Sequence, residues 1–180
     1  DVAAMTRAQR EALERMKRLS DVANGDDASK LTFEVYLQRT WFSQVIERAN
    51  LHMNQLTGGV LLLTLKEPTP GQQKTGLDLN VFDAATGRER SAATLSGGES
   101  FKASLSLALG MSELIGEIAG GVELDSMFID EGFGTLDDAS LNQALDVLST
   151  LSLGQRLVGI ISHRPELRER IPQQIEVVKT

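Results

Sequence analysis

The sequence predicts an α/β fold in which helices flank a mainly parallel sheet and the amino-terminal helix has coiled-coil character. From residue 95 onward, helical and strand patterns alternate, which is the order typical of α/β proteins. Within this region an unbroken apolar run, Met127 to Ile129, ends directly in two acids, Asp130 and Glu131. Such a run is typical of a strand buried on both faces of a parallel sheet. Its acids are expected at the carboxyl end, where open α/β sheets bind ligands.

Composition limits the class of protein. A chain of 180 residues that is 41% hydrophobic is long enough for one domain with a sizeable core. The net charge of -7 is a poor match to DNA for this chain alone, although a local basic patch or a basic partner remains possible. Cysteine is absent, which excludes disulfides, thiolate zinc sites and cysteine nucleophiles.

Two further features concern where the protein works and how complete the chain is. No stretch approaches the length of a membrane helix and no signal peptide opens the chain, so we expect a soluble, cytoplasmic protein without a membrane partner. The first residue is Asp1 and not methionine, which indicates a fragment.

The first predicted helix spans residues 1–20 and is separated from the rest by a loop at 24–27. Its seam residues recur in alternating steps of three and four, which is the spacing of a coiled coil, although Gln9 interrupts the seam. An ordinary amphipathic helix is the alternative. We therefore divide the chain into a coiled-coil stub, 1–20, and one lobe, 21–180. The seam residues are Val2, Met5, Gln9, Ala12, Met16 and Leu19.

A second, longer helix is predicted to begin after Thr32, which is a suitable N-cap, and to stop at Gly58 and Gly59. His52 lies on this helix, and the sequence assigns it no role. Apolar residues recur every four positions along one face: Phe33, Leu37, Trp41, Val45, Ala49 and Met53.

Strands are predicted at 60–65 and 77–81, with a polar loop at 67–76 between them. The second strand alternates apolar and polar residues, which predicts that it is half exposed. A turn at 84–87 follows it and predicts an antiparallel sheet edge.

The remaining elements are a helix from 96 to about 118, a helix at 139–151, a buried strand at 157–161, a short helical turn at 165–170 and a last strand at 175–178. The first of these helices carries many small residues, which predicts close packing in the interior. They are Ala103, Ser104, Ser106, Ala108 and Gly110. The second helix places three leucines on one face, namely Leu141, Leu145 and Leu148.

Polar residues that could bind a ligand lie at the ends of several of these predicted helices and strands. Ser96, Gly97 and Gly98 open a helix, where backbone N–H groups, the helix dipole and a hydroxyl favour an anion. His163 follows the strand at 157–161 and is expected at the same kind of strand end as Glu131, within reach of the same ligand.

A further acidic pair, Asp137 and Asp138, precedes the predicted helix at 139–151. We expect one of the two to cap this helix while the other faces a partner.

Taken in order, these motifs resemble those of the ABC-type ATPases, in which they are the signature motif, the Walker B motif, the D-loop and the switch histidine. Three segments are similar to the carboxyl-terminal half of the ATPase head in the SbcC-type DNA-repair ATPases, bacterial relatives of the structural maintenance of chromosomes (SMC) proteins. The resemblance covers nearly the whole chain and favours the coiled-coil interpretation of 1–20. The three segments are 94–101 (TLSGGESF), 128–137 (FIDEGFGTLD) and 159–167 (GIISHRPEL).

The resemblance implies roles for the motif residues in ATP hydrolysis between two dimerised heads. Asp130 is expected to hold Mg²⁺ through water, Glu131 to act as general base and His163 to contact the γ-phosphate. The signature residues are expected to bind ATP held by the second head, and Asp137 of the D-loop to cross the same interface. The signature residues are Ser96, Gly97, Gly98 and Glu99.

No Gly-x-x-x-x-Gly-Lys-Ser/Thr phosphate loop is present, and the nearest string, at 71–75, lacks the first glycine and the preceding strand. In SbcC-type proteins this loop lies in the amino-terminal half of the head, so we expect the chain alone to be inactive as an ATPase. The resemblance implies as partners that amino-terminal half, a second head, an SbcD-like nuclease and DNA with double-strand breaks. A head of another SMC-like, RecN-like or RecF-like ATPase, or a non-catalytic dimerisation module when isolated, are the alternatives.

Overall fold

Helices pack against two small sheets in the computed structural model, which describes residues 6–26, 31–67, 77–121, 126–130, 132–153 and 157–177. This confirms the α/β class. The helices of the described part are α1 (Arg7–Asn24), α2 (Phe33–Thr57), α3 (Gly97–Ile118), α4 (Asp138–Leu153) and α5 (Pro165–Arg170). Its strands are β1 (Leu61–Leu65), β2 (Leu79–Asp83), β3 (Arg88–Ser91), β4 (Ser126–Asp130) and β5 (Leu157–Ile161).

Local capping sets the ends of the first two helices. The Thr6 side chain caps α1, and Gly25 closes this helix with a left-handed φ of 73°. The predicted cap of α2 is confirmed, since Thr32 Oγ1 accepts a hydrogen bond from the Val35 N–H at 3.3 Å. Gly58 ends α2 with a φ of 62°. None of the described helices has the length and apolar character that crossing a membrane requires.

The predicted coiled-coil stub corresponds to α1, which continues past residue 20 to Asn24. Residues 1–5, with the first two seam positions, lie outside the described part of the chain. The described helix exposes apolar side chains on its surface, namely Leu13, Met16, Leu19 and Val22. An exposed apolar stripe of this kind is compatible with both alternatives, an amphipathic helix and one strand of a coiled coil.

The first sheet is antiparallel, with strand order β1-β2-β3, which confirms the predicted antiparallel edge. Leu63 faces Val81 across the first strand pair, and both side chains are buried. The sequence did not predict β3, because Arg88 to Ser91 contain no apolar residue and therefore no alternating pattern. Backbone pairing with β2 forms this strand. The predicted loop at 67–76 lies outside the described residues from position 68 onward.

The interior is organised around the crossing of α2 and α3. Gly110 of α3 lies so close to α2 that a Cβ atom there would lie 2.6 Å from the Ala49 nitrogen and 2.7 Å from the Val45 carbonyl oxygen. Ala103 and Ser106 are buried on the same side of α3, as predicted. Small residues therefore let the two helix backbones approach each other.

Burial of small residues on α3 is confirmed only for this side. Ser104 and Ala108 are exposed, in contrast to the prediction, because they lie on the face turned away from α2. The last stripe residues of α2 are buried, whereas Phe33, Leu37 and Trp41 near its start are exposed.

The second sheet consists of β4 and β5, which pair in parallel as predicted. Met127 and Ile129 pack with Val158 against a core formed mainly by α3 and α4. The prediction that these strands are buried on both faces is wrong, since Phe128 is 68% exposed and Ile161 is also exposed. In the described part of the chain, helices cover only one face of this two-stranded sheet.

The carboxyl-terminal elements follow the prediction except for the last one. Leu141, Leu145 and Leu148 are buried along α4, and α5 has the predicted bounds. The strand predicted at 175–178 is wrong for its described residues, which are irregular, with Ile175 95% exposed. Their apolar alternation is that of a strand, but no neighbouring strand of the described chain pairs with them.

We expect Gly110→Ala to lower the free energy of unfolding by about 1–2 kcal/mol, because overpacking against backbone atoms outweighs the gain in helix propensity. The measurement is urea denaturation followed by circular dichroism. Ser104→Ala, on the exposed side of the same helix, is the matched control and should stay within about 0.5 kcal/mol of wild type. An unchanged urea midpoint for Gly110→Ala would show that α2 and α3 move apart without loss of stability, which would contradict the close packing.

Candidate functional site

Asp130 and His163 lie at the same edge of the parallel sheet. Asp130 is the last residue of β4 and pairs with Ile161, the last residue of β5, so both strands end together. Ser162 and His163 follow directly, and both Asp130 and His163 are exposed. Glu131 lies outside the described residues. Three residues were predicted at this edge: Asp130, Glu131 and His163. The structure places two of them, Asp130 and His163, at the ends of neighbouring parallel strands.

The described residues contain no group of three or more histidine, cysteine, aspartate or glutamate side chains that could hold a metal ion. Asp130 offers a single exposed carboxylate. This fits Mg²⁺, which keeps most of its water ligands and is typically held by one or two carboxylates together with substrate phosphates. The described residues of this edge do not fit a cation held by protein ligands alone.

Ser96 is the N-cap of α3 and exchanges hydrogen bonds with Glu99. The Ser96 Oγ accepts from the Glu99 N–H at 3.3 Å, and the Ser96 N–H donates to Glu99 Oε2 at 2.8 Å. This reciprocal pair is a capping box, which fixes the first turn of the helix. The Glu99 carboxylate therefore bonds to its own chain, a geometry that the sequence analysis did not foresee.

Arg90 of β3 holds the same carboxylate from the other side. Its guanidinium donates to Glu99 Oε1 at 3.0 Å and to the Thr94 carbonyl oxygen at 3.0 Å. The Ser96 N–H bond, together with Arg90, lowers the pKa of the Glu99 carboxyl below its usual value of 4.5. The antiparallel sheet is thereby tied to the start of α3. Sequence reasoning missed Arg90 because it lies in the strand that was not predicted.

The two glycines at the start of α3 make room for the chain that follows β4. A Cβ atom on Gly97 would lie 3.1 Å from the Thr135 Cβ, and one on Gly98 would lie 3.6 Å from Leu136 Cδ2. The sequence analysis assigned these glycines to an anion. The structure adds a second reason for them, since residues 132–137, hereafter the 132–137 segment, pack directly against this helix end.

The beginning of the 132–137 segment is equally close to α3. Gly132 has a φ of 94°, and a Cβ atom there would lie 2.6 Å from the Phe101 ring. The rings of Phe101 and Phe133 are in contact, with centroids 4.8 Å apart and planes tilted by 55°. Phe133 is fully buried, so this segment is anchored in the core.

Asp137, at the end of the 132–137 segment, caps α4. Its Oδ1 accepts a hydrogen bond from the Ser140 N–H at 2.7 Å, and this bond is the main reason why the pKa of Asp137 is below its usual value of 3.8. The prediction that one of the two acids caps the helix is confirmed for Asp137. Asp138 is the first residue of α4, one position earlier than predicted, and it is exposed.

Arg164 connects the two strand ends, and sequence reasoning missed it. Its Nη1 donates to the carbonyl oxygens of Phe133 and Leu136, each at 2.8 Å. The position of Arg164, directly after His163, is the only sequence signal. That position does not predict bonds to carbonyl groups about thirty residues earlier in the chain.

The comparisons with known proteins agree with this layout. The family model of the SbcC/RAD50-like Walker B motif matches residues 73–150. The chain is similar to the SbcC component of the SbcCD nuclease from Staphylococcus haemolyticus, with 45% identity over 159 residues, which cover 88% of the chain and 16% of that protein. The corresponding protein of Vibrio cholerae is 44% identical over 163 residues, or 90% of the chain and 16% of that protein. The chain thus spans about one sixth of the length of these relatives.

Solved structures support the fold. A structure from work on ATP-driven dimerisation and DNA-stimulated activation of SMC ATPases superposes with a TM-score of 0.62 at 15% identity, over 81% of this chain and 83% of that chain. The SMC head domain from Thermotoga maritima gives a TM-score of 0.50 at 18% identity, over 76% of this chain and 43% of that chain. At these identities the likeness concerns the fold alone.

We expect Glu99→Gln to lower the free energy of unfolding near neutral pH. Because the pKa of Glu99 is lowered in the folded chain, its stabilising contribution is fully present above the usual value of 4.5 and is lost as the pH falls through the lowered value. Wild type and Glu99→Gln should therefore converge in acid. Denaturant titrations of both proteins from about pH 7 to about pH 3 measure this difference.

The exposed Glu14 on α1 provides the control for this titration, since Glu14→Gln removes a carboxylate outside the capping box. A difference between wild type and Glu99→Gln that stays constant with pH would contradict an ionised carboxylate in the cap.

Proposed function

The chain belongs to the SbcC/RAD50-like family, and we propose that it forms the carboxyl-terminal lobe of an ATPase head that binds and hydrolyses ATP between two heads. In the complete protein this activity controls a partner nuclease in the repair of DNA double-strand breaks. The observation that carries the proposal is the common end of β4 and β5, where Asp130 and His163 emerge together. Open α/β sheets bind ligands at this edge.

Three residues act on the nucleotide held by the same head. Mg²⁺, when bound, neutralises charge that develops on the phosphates. The Asp130 carboxylate would hold Mg²⁺ through water, Glu131 accepts a proton from the water that attacks the γ-phosphate, and His163 donates a hydrogen bond to the γ-phosphate. The exposure of Asp130 and His163 supports these roles, because both side chains are accessible to a ligand.

The start of α3 acts on the nucleotide held by the second head. Ser96 and the N–H groups of Gly97 and Gly98 lie at the positive end of the helix dipole and bind the γ-phosphate. Glu99 contributes by holding Ser96 in its cap, in keeping with their reciprocal bonds. Asp137 is exposed at the end of the 132–137 segment and, in addition to capping α4, reaches across the same interface.

The uncovered face of the parallel sheet receives the amino-terminal half of the same head, which supplies the phosphate loop. Phe128, Leu157 and Ile161 are exposed on or beside this face. Soluble proteins seldom leave neighbouring large apolar side chains open to water, and two strands are too few for a sheet that stands alone. A complementary lobe that adds strands to this sheet accounts for both features.

The remaining partners follow from the family. We propose the division into a coiled-coil stub, 1–20, and one lobe, 21–180, in which α1 forms the base of the coiled coil and its last residues, up to Asn24, lead into the lobe. The exposed face of the parallel sheet is assigned to the amino-terminal half of the same head. The relatives are named as components of the SbcCD nuclease, from which we propose an SbcD-like nuclease and DNA as partners. A DNA-repair complex of this kind works in the cytoplasm of a bacterium.

The full-length protein with Glu131→Gln should bind ATP as wild type does but hydrolyse it about 10²–10⁴-fold more slowly, which is the typical effect of losing a general base. The measurements are nucleotide binding and steady-state phosphate release. Glu169→Gln, at an exposed position of α5, is the matched control and should leave turnover unchanged. The isolated chain should show no hydrolysis above background. Normal turnover by Glu131→Gln would exclude Glu131 as the general base.

Ser96→Arg in the full-length protein should leave ATP binding to each head intact but abolish ATP-dependent dimerisation and, with it, hydrolysis. The arginine occupies the space for the partner's phosphate, and contacts at a helix terminus are worth about 0.3–2 kcal/mol each, enough in sum to decide a weak association. Light scattering with and without ATP measures the dimer. Ser20→Arg adds the same charge on exposed α1 and should dimerise normally. An ATP-dependent dimer of Ser96→Arg would exclude the role of the signature in the second site.

A further inference from the structure

We propose that Arg164 is a positioning residue that couples the nucleotide bound by one head to the surface that this head presents to the nucleotide of the other head. This inference rests on the proposed function and adds to it a residue with no assigned role. Arg164 is adjacent to His163, which faces the nucleotide of its own head, and it bonds to the 132–137 segment, which ends in Asp137.

The hydrogen bonds of the Arg164 guanidinium hold both ends of the turn in the 132–137 segment, so that this segment moves as a unit. The two carbonyl oxygens that accept from its Nη1 belong to Phe133, the first residue of a 3₁₀ turn that spans Phe133–Thr135, and to Leu136, which directly follows this turn. The Arg164 side chain is only 15% exposed, so water competes little for its guanidinium. Charged donors form the stronger class of hydrogen bond, and two such bonds to one turn restrict its orientation.

One of these bonds acts directly on Asp137. The Leu136 carbonyl belongs to the peptide group whose nitrogen is that of Asp137, and this group is planar and rigid. A shift of the Arg164 guanidinium therefore rotates the peptide that carries Asp137. The hydrogen bond that Asp137 Oδ1 accepts from the Ser140 N–H at the start of α4 restrains this rotation.

Arg164 is also joined to His163 by a single peptide bond. Around it the chain is held locally, since the Arg164 N–H donates to Ser162 Oγ at 3.3 Å and the Arg164 carbonyl accepts from the Leu167 N–H at 3.3 Å. These two hydrogen bonds restrain the backbone of residues 162–164, which connect β5 to α5. When His163 changes position on its nucleotide, Arg164 is displaced with it.

The 132–137 segment passes the displacement on to the start of α3. Thr135 packs against Gly97, and the ring of Phe101 leaves no room at Gly132 for a Cβ atom. Because neither glycine leaves room for a Cβ atom without pressing on its neighbour, little free space separates the segment from the start of α3, and a shift of the segment displaces the helix end that carries Ser96. Arg164 thereby links His163, which serves the head's own nucleotide, with Asp137 and Ser96, which serve the partner's.

The ion pairs of Arg164 do not explain its position. Glu166 is half exposed, and Asp138 is exposed and 3.8 Å away, so both pairs are screened by water and contribute little. A role of Arg164 in the overall stability of its head alone predicts equal loss at both nucleotides of a dimer. Coupling predicts that a change of Arg164 in one head acts mainly on the nucleotide of the other head. This difference is measurable.

Mixed dimers of the full-length protein, purified through two different affinity tags, provide the test. In the first dimer, one head carries both Arg164→Ala and Glu131→Gln, so that the remaining turnover occurs at the wild-type head, whose nucleotide faces the changed surface. In the second dimer, Arg164→Ala is on one head and Glu131→Gln on the other, so that turnover occurs at the head with Arg164→Ala. A dimer with Glu131→Gln alone on one head is the reference.

We expect turnover of the first dimer to fall about fivefold or more below the reference, which is the lower range of coupling between sites. The second dimer should stay within about twofold of the reference. Arg168→Ala provides the matched control in both arrangements, because this arginine of α5 is 67% exposed and forms an ion pair with the equally exposed Glu176 at the surface. Equal losses in both dimers, or a larger loss in the second, would overturn the inference.

Two measurements keep the outcome decisive. Thermal unfolding and ATP binding measure whether Arg164→Ala is folded. If it is not folded, Arg164→Lys replaces it, because lysine keeps the charge but cannot bond to both carbonyl groups in the same way. Arg164→Lys must then show the same difference between the two mixed dimers. A reference dimer that retains full turnover, or a wild type without ATP-dependent dimerisation, contradicts the proposed function itself. A reference dimer with about half of the wild-type turnover and a symmetric effect of Arg164→Ala contradicts only the coupling.

Discussion

The close approach between the start of α3 and the 132–137 segment is the constraint on which the candidate site depends. Gly97 and Gly132 permit it, since a side chain at either position would press on Thr135 or on the Phe101 ring. The contact between the rings of Phe101 and Phe133 then anchors both elements in the same core. A helix end that favours anions and a segment that leads from one strand to the next helix are thereby held in a fixed relation.

Local sequence patterns predicted most elements, whereas contacts with other parts of the chain decided the rest. Thr32, Gly58 and the bounds of β5 follow from caps and apolar runs, which act within a few residues. Apolar character indicates that Phe128 prefers to be covered, but not which part of a protein covers it. The strand predicted around Ile175 failed for the same reason, because an alternating pattern forms a strand only beside a partner.

The candidate site was predictable to the extent that it consists of motifs. Asp130 and His163 each end an apolar run, so their common edge follows from the fold class. Arg90 and Arg164 were not predictable, because each is defined by bonds to residues that are not its neighbours in the same element. The sequence shows which groups can react. It does not show which charged side chains hold the backbone around them.

The exposed face of the parallel sheet also affects how this lobe behaves before it is assembled. In the proposed head, a lobe that has not yet met its amino-terminal half exposes Phe128 and the outer edges of β4 and β5, which pair with no further strand of the described chain. Such surfaces favour strand addition between copies, aggregation and capture by chaperones. In the proposed head, a complement encoded in the same polypeptide would be held at high effective concentration, which would shorten the time during which this face is exposed.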